Sequence, residues 1–204
     1  ASVRCATFSF ICLLIGSFRF VEPMDLKLLA IIVTLVLAFI GYFYNYFQKL
    51  ALDKRKERLE LLNKQINDFY GPLYMLSESS STAVDTLRKR LGGVQIFKNS
   101  YAPSEHEMNE WINWVINVLM PINERIENII LSHSYLIREN EAPRCLLKFV
   151  SHISIYRAII AKWRKDDYEE YLSPIEYPND LYEYAKTSYY NLKREQSILI
   201  GSLG

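Results

Sequence analysis

The apolar residues of this chain crowd into its first fifty positions, and the remainder mixes apolar and charged residues as an ordinary soluble helical protein does. From Leu28 to Gln48 no side chain except tyrosine is ionisable. These roughly twenty-one residues make about 31 Å of α-helix, which matches the hydrocarbon thickness of a bilayer. A buried helix of a soluble protein keeps a polar face, and this stretch has none. The pattern predicts a transmembrane helix over residues 27–48.

A second apolar stretch precedes this helix, over residues 5–21. It is uncharged for only about thirteen residues, so spanning the bilayer requires the Arg19 side chain to extend toward the interface. Pro23 then provides a turn. The pattern predicts a transmembrane hairpin over residues 1–49. The alternative is a signal peptide, for which the chain lacks a clear cleavage signal of small residues.

The residues that flank the main span indicate its orientation. Its C-terminal end carries an aromatic belt of the kind found at membrane interfaces: Tyr42, Phe43, Tyr44, Tyr46 and Phe47. A basic group follows at once: Lys49, Lys54, Arg55, Lys56 and Arg58. Because basic flanks stay in the cytoplasm, we expect residues 50–204 to form a cytoplasmic α-helical domain.

Small residues recur along one face of the main span at spacings of three and four. We call this the small-residue face, and it consists of Ala30, Thr34, Ala38, Gly41 and Asn45. Such faces let membrane helices approach closely. The face therefore predicts packing either against the first apolar stretch or between copies of the chain in a homo-oligomer.

Beyond the bilayer the apolar positions keep the helical spacing. The stripe comprises Leu52, Leu59, Leu62, Ile66 and Phe69. It predicts that the membrane helix continues to about residue 70, where Gly71-Pro72 kinks or ends it. Proline is accepted in the first turn of a helix, so the next helix is expected over residues 72–90.

Three further helices are predicted. Ser104 and Glu107 form the pattern of a capping box, and the helix that they start should bend at Pro121. Another helix should run over residues 143–165 and the last over 180–199. No stretch alternates with the period of a strand. The predicted fold is all-α: a transmembrane helical hairpin followed by a cytoplasmic helical bundle, with the second transmembrane helix continuing into the domain.

Composition and motifs offer no catalytic site. The net charge is +1, and the chain has three cysteines, Cys5, Cys12 and Cys145, without the spacing of metal ligands. The sequence HEMNE at residues 106–110 lacks the second histidine of a zinc-protease helix. His133 and His152 lie in apolar helical stretches and are expected to be packing residues. We therefore expect no enzyme activity and no cofactor or metal.

Two groups of residues remain as candidate contacts for partners. Arg88, Lys89 and Arg90 form a short basic cluster that suits phosphate contacts, although cations are also favourable at a helix C-terminus. Tyr182 and Tyr189 lie on one face of the last helix, near the tyrosines of the preceding loop, and tyrosine is enriched at interfaces. Packing of these two rings against that loop is the alternative.

The segment over residues 63–74 ends in the sequence FYGPLY. This motif is formed by Phe69, Tyr70, Gly71, Pro72, Leu73 and Tyr74. The segment resembles a stretch of small bacterial membrane-anchored helical proteins, with Ile66 in place of their usual leucine. With the hairpin-and-bundle layout, it is similar to the two-transmembrane effectors of anti-phage systems, including retrons.

The resemblance implies a toxic effector in the bacterial inner membrane. A reverse transcriptase and its RNA–DNA product would restrain it through the cytoplasmic domain until infection, after which it would perturb or depolarise the membrane. The alternative is a membrane-tethered adaptor without toxicity that recruits a cytoplasmic partner. An enzyme is the third and least favoured hypothesis.

Overall fold

The computed structural model of the chain describes residues 25–91 and 103–201. These residues are mainly helical and include no strand, which confirms the predicted all-α class. The predicted first span, residues 5–21, lies outside the described residues. The α-helices are α1 (Leu26–Lys64), α2 (Gly71–Arg90), α3 (Glu105–Trp114), α4 (Met120–Ser132), α5 (Arg144–Trp163) and α6 (Asp180–Gly201).

Three shorter elements complete the described chain. A π-helical turn, Gln65–Tyr70, joins α1 to α2, and a second one, Val115–Leu119, joins α3 to α4. A 3-10 turn, Ser134–Leu136, follows α4. The predicted helix boundaries are thus confirmed to within a few residues, because capping residues and apolar periodicity act locally.

The chain divides into two compact units, Ala1–Lys54 and Arg55–Gly204. The described part of the first unit is the N-terminal portion of α1. This portion is long and apolar enough to cross a membrane, and its most apolar window has no residue buried against other described residues. The sequence places the domain boundary after residue 49, also within α1.

The junction between α1 and α2 accommodates Gly71-Pro72 without ending the helical run. In a regular α-helix, a proline ring clashes with the carbonyl four residues earlier. Here the N–H of Gly71 donates to the carbonyl of Ile66, five residues earlier. The wider turn relieves that clash, and Pro72 lies in the first turn of α2, as predicted.

The second π-helical turn precedes Pro121 in the same way. The N–H of Met120 donates to the carbonyl of Val115, and Pro121 lies in the first turn of α4. Both interior prolines of the bundle helices therefore follow a locally widened turn. The sequence predicts a disturbance at each proline, whereas the form that it takes is decided by the packing of the helices on either side.

The helices of the second unit bury one hydrophobic core, in which α2 packs on α4 and α6, and α5 packs on the same two helices. Full burial of such a side chain contributes about 1.5–3 kcal/mol. Apolar residues recur along α5 at helical spacing and predict an inward face: Leu146, Phe149, Val150, Ile153, Tyr156, Ile160 and Trp163. The structure confirms this face, since all of these residues except the half-buried Val150 are buried. The largest fully buried side chains are Phe69, Tyr70, Leu73, Leu87, Ile126, Leu136, Leu146, Phe149, Ile153, Ile159 and Leu181.

Polar side chains secure the ends and connections of these helices. The capping box of α3 is confirmed, because the Ser104 N–H donates to Glu107 Oε2 at 2.7 Å and the Glu107 N–H donates to Ser104 Oγ at 3.3 Å. Trp111 Nε1 donates to the carbonyl of Tyr171 at 2.9 Å, and Trp163 Nε1 donates to that of Glu170 at 2.8 Å. Two indoles thus hold the connection between α5 and α6.

Gly71 permits a close backbone approach at the junction between α1 and α2. A Cβ atom at this position would lie 2.5 Å from the carbonyl oxygen of Ile66 and 3.5 Å from the ring of Tyr189. We expect Gly71→Ala to lower the free energy of unfolding by roughly 1–3 kcal/mol, as strained overpacking does. Chemical unfolding in detergent micelles, followed by tryptophan fluorescence, measures this loss.

Gly201→Ala is the matched control, because a Cβ there meets nothing within 4 Å. Alanine is the better helix former, so this variant should be at least as stable as the parent chain. Equal stability of the two variants would contradict the assigned role of Gly71.

Candidate functional site

The FYGPLY motif lies partly in the hydrophobic core of the second unit. Phe69, Tyr70 and Leu73 are fully buried, and the rings of Phe69 and Tyr70 meet edge to face with centroids 4.8 Å apart. The first half of the motif is therefore hydrophobic core. Its glycine and proline form the junction between α1 and α2 described above.

The hydroxyl of Tyr70 belongs to a polar network that reaches from the core to the surface. It accepts a hydrogen bond from the Arg138 N–H at 3.2 Å and lies 3.3 Å from the hydroxyl of Tyr184. Tyr184 donates to Glu139 Oε2 at 3.1 Å. Burial is the largest cause that raises the pKa of both phenols, so both stay protonated at neutral pH. The network joins the π turn to α6 and to the chain after the 3-10 turn.

The last residue of the motif lies on a surface with other tyrosines. We call this surface the tyrosine patch, and it consists of Tyr74, Tyr182, Lys186, Tyr189 and Tyr190. The ring of Tyr74 stacks on Tyr189 at 5.6 Å and lies 5.9 Å from Tyr182 and from Tyr190. Lys186 Nζ lies 5.2 Å from the Tyr182 ring centroid.

The patch is built from two helices. Tyr182 and Tyr189 of α6 pack against Tyr74 of α2. Tyr177 of the loop that precedes α6 packs on Phe149 of the core, with ring centroids 5.7 Å apart. Tyr190, which is 53% exposed, was not singled out from the sequence, because its position is informative only once α2 lies beside α6.

A hydrogen bond between Tyr74 and Tyr190 is the largest cause that raises the pKa of Tyr74 to about 12. The patch is a closely packed aromatic surface that carries one cation, Lys186. Rigid tyrosine side chains of this kind give a partner contact area at a small cost in conformational entropy.

The basic cluster lies at the exposed C-terminal end of α2. Arg88 Nη1 lies 3.3 Å from Asp85 Oδ1, and Arg90 Nε lies 3.2 Å from Glu110 Oε2 of α3. Lys89 is exposed beside them. Any phosphate that binds Arg88 or Arg90 must compete with a carboxylate, which weakens the cluster as a nucleic-acid contact.

No other described residue covers the small-residue face. A Cβ at Gly41 would meet nothing within 4 Å. Thr34, the polar residue near the centre of the apolar stretch, donates its hydroxyl to the carbonyl of Ala30 at 2.8 Å. This hydroxyl is satisfied within its own helix, so it need not face water or another chain.

The two histidines lie on different elements, His133 at the C-terminal end of α4 and His152 within α5. His152 is buried, with Nδ1 2.5 Å from the carbonyl oxygen of Ile175 and edge-to-face contacts with Tyr156 and Tyr177. Burial is the main cause that lowers its pKa. Over residues 25–91 and 103–201, no group of three His, Cys, Asp or Glu side chains could hold a metal ion.

One polar arrangement in the structure could not be predicted from the sequence. We call it the Glu195 clasp, because Glu195 of α6 pairs with Arg58 of α1 and with Arg138 of the chain before α5. Arg58 Nε donates to Glu195 Oε1 at 3.1 Å, and Arg138 Nη2 lies 3.1 Å from Oε2. Arg58 is the largest cause that lowers the pKa of the Glu195 carboxyl. These residues are far apart in the sequence, and no local pattern connects them.

Comparison with known proteins adds no relative. The chain matches no known protein-family model, no curated protein sequence and no solved structure.

The buried imidazole of His152 predicts a loss of stability in mild acid. Its pKa lies below the ordinary value of 6.5 in the folded chain, so the unfolded chain binds the proton first as the pH falls through 6.5. The free energy of unfolding should therefore decrease from pH 7.5 toward 5.5. Urea unfolding of the parent chain and of His152→Gln at both pH values tests this: the variant should depend less on pH, and an identical dependence would contradict the assignment.

Proposed function

We propose that this chain is a membrane-anchored effector of a bacterial anti-phage system, which perturbs or depolarises the inner membrane when an inhibitory partner releases it. The observation that carries the proposal is the apolar part of α1, which has no residue of its most apolar window buried against other described residues. Exposed apolar area of this extent requires a cover, and lipid is the cover that its length and composition fit.

The chemistry of α1 favours a non-selective perturbation of the membrane. Selective channels use rings of carbonyls or charged side chains. From Leu28 to Gln48 the chain has no charged residue, and the Thr34 hydroxyl is bonded within the helix. Association of copies through the small-residue face would therefore disturb the bilayer without discriminating between ions, and the measurable result would be depolarisation.

In this proposal residues 1–49 form a membrane hairpin and the helical domain faces the cytoplasm. The basic residues after the span support that orientation. The tyrosine patch supports a role of the domain in binding a protein partner, since tyrosine is enriched at interfaces. The resemblance carried by FYGPLY implies a reverse transcriptase with its RNA–DNA product as the partner, and in this proposal Arg88, Lys89 and Arg90 are the residues near the nucleic acid.

A membrane-tethered adaptor without toxicity is the second candidate, and the tyrosine patch favours it equally. Both candidates need a partner on the helical domain. They differ in whether the membrane helix acts on the bilayer by itself. Expression of the chain without any partner therefore separates them.

Expression of the full chain in bacterial cells should collapse the membrane potential, measured with a potential-sensitive dye. Ala38→Phe adds bulk to the small-residue face, and overpacking of a close interface costs about 1–3 kcal/mol, so this variant should lose most of the effect. Val36→Phe places a comparable ring on the opposite side of the helix and should retain it.

If the parent chain at full expression leaves membrane potential and growth unaltered, the effector hypothesis is overturned and the adaptor hypothesis is left. Equal activity of the two phenylalanine variants would instead exclude the small-residue face as the contact between copies.

The tyrosine patch predicts which residue a partner requires. When the chain is co-expressed with a reverse transcriptase that makes its RNA–DNA product, Tyr190→Ala should weaken the co-purification of that enzyme with the chain. Loss of an interface tyrosine costs about 1–2 kcal/mol or more. Tyr135→Ala changes a residue that is 71% exposed and lies outside the patch, so it should leave co-purification unchanged. Equal recovery of the partner by both variants would exclude the patch as the interface.

A further inference from the structure

The Glu195 clasp joins three separate segments of the second unit through one carboxylate. Arg58 contributes from α1, Arg138 from the chain between the 3-10 turn and α5, and Glu195 from α6. Both carboxylate oxygens are used, one by each arginine. A single carboxylate thus joins α1 at Arg58 to α6 and to the chain before α5.

A second polar contact lies beside the clasp. Gln196 Nε2 donates to Asn63 Oδ1 at 2.6 Å, and Lys193 Nζ donates to Gln196 Oε1 at 2.7 Å. Since Arg58 meets Glu195 and Gly71 meets Tyr189, α1 and α2 run antiparallel to α6 along this contact.

Full burial of apolar side chains on α1 begins only after Arg58. Among the described residues of the second unit, Leu62 is the first in the chain that is buried. Over residues 55–61 the side chains are exposed, apart from the half-buried Leu59. This segment is therefore held on α6 chiefly by polar contacts, whereas Ile66 and Phe69 are anchored in the core.

Such a fastening can open without unfolding the core. The side chains of Arg58, Arg138 and Glu195 are 60%, 41% and 23% exposed, and ion pairs that water and salt can reach contribute little stability. Segments with few buried apolar contacts open locally at a lower free energy than the core. The segment over residues 55–61 meets that description.

We propose that the Glu195 clasp is a releasable latch, which holds residues 55–61 on α6 when closed and frees α1 to act in the membrane when open. The claim that the closed latch restrains membrane activity rests on the proposed function. The claim that the latch can open is independent of that function, and it is measured separately.

Spin labels at Lys56→Cys and Ser197→Cys, both at exposed positions, report the state of the latch in the full chain in lipid nanodiscs. Cys5, Cys12 and Cys145 are replaced by alanine. Electron–electron distance measurements should give one short, narrow distribution with Glu195 present. Glu195→Gln should add a longer, broader population, and so should raising the salt from about 0.05 M to about 0.5 M, which screens exposed ion pairs.

Glu127→Gln is the matched control. Glu127 of α4 pairs with Arg157 of α5 in another part of the same unit, so this variant also removes one carboxylate partner of an arginine. It should leave the distance between the labels unchanged. The same distribution in both variants would overturn the latch.

The activity of the same variants tests the restraint. Glu195→Gln should depolarise cells at a lower expression level than the parent chain, and Glu127→Gln should not. Opening of the latch without earlier depolarisation would overturn the restraint. If neither the parent chain nor any variant depolarises cells, the proposed function fails, while the label distances still decide whether the clasp opens.

Discussion

Pro72 has no backbone N–H, and the way in which the chain accommodates it organises the helical domain. The π turn before it replaces a regular hydrogen bond with one from Gly71 to Ile66. The helical run continues through the turn, with Phe69 and Tyr70 in the core on one side of Gly71 and Leu73 on the other. Only glycine fits at position 71, because any Cβ would meet the carbonyl of Ile66.

The two ends of the FYGPLY motif consequently have different environments. The buried ring of Tyr70 places its hydroxyl in a polar network with the half-buried Tyr184 and the exposed Glu139, and burial raises the pKa of this hydroxyl. Tyr74, one turn later, reaches the surface and stacks on Tyr189. The motif is thus architectural at its start and part of an accessible aromatic surface at its end. A packing role and a partner-binding role are compatible within six consecutive residues.

Helix α1 shows the same division on a larger scale. Its apolar portion has no cover among the described residues, and its charged portion is fastened to α6 through Arg58 and Asn63. Apolar burial responds little to salt or to the charge of a partner, whereas exposed ion pairs respond to both. A control element placed at residues 55–61 would therefore be sensitive to its surroundings in a way that the core beyond Leu62 is not.

The all-α class, the helix boundaries, the capping box at Ser104 and the apolar membrane-length stretch follow from the sequence alone, because each depends on residues within one or two turns of each other. The tertiary structure decided what those patterns mean together. In the structure, Pro72 and Pro121 follow π turns and the helical runs continue through them. Tyr182 and Tyr189 pack on Tyr74, and Glu195 pairs with Arg58 and Arg138. These outcomes depend on which helices lie side by side, and contacts between residues far apart in the chain leave no periodic trace in a single sequence.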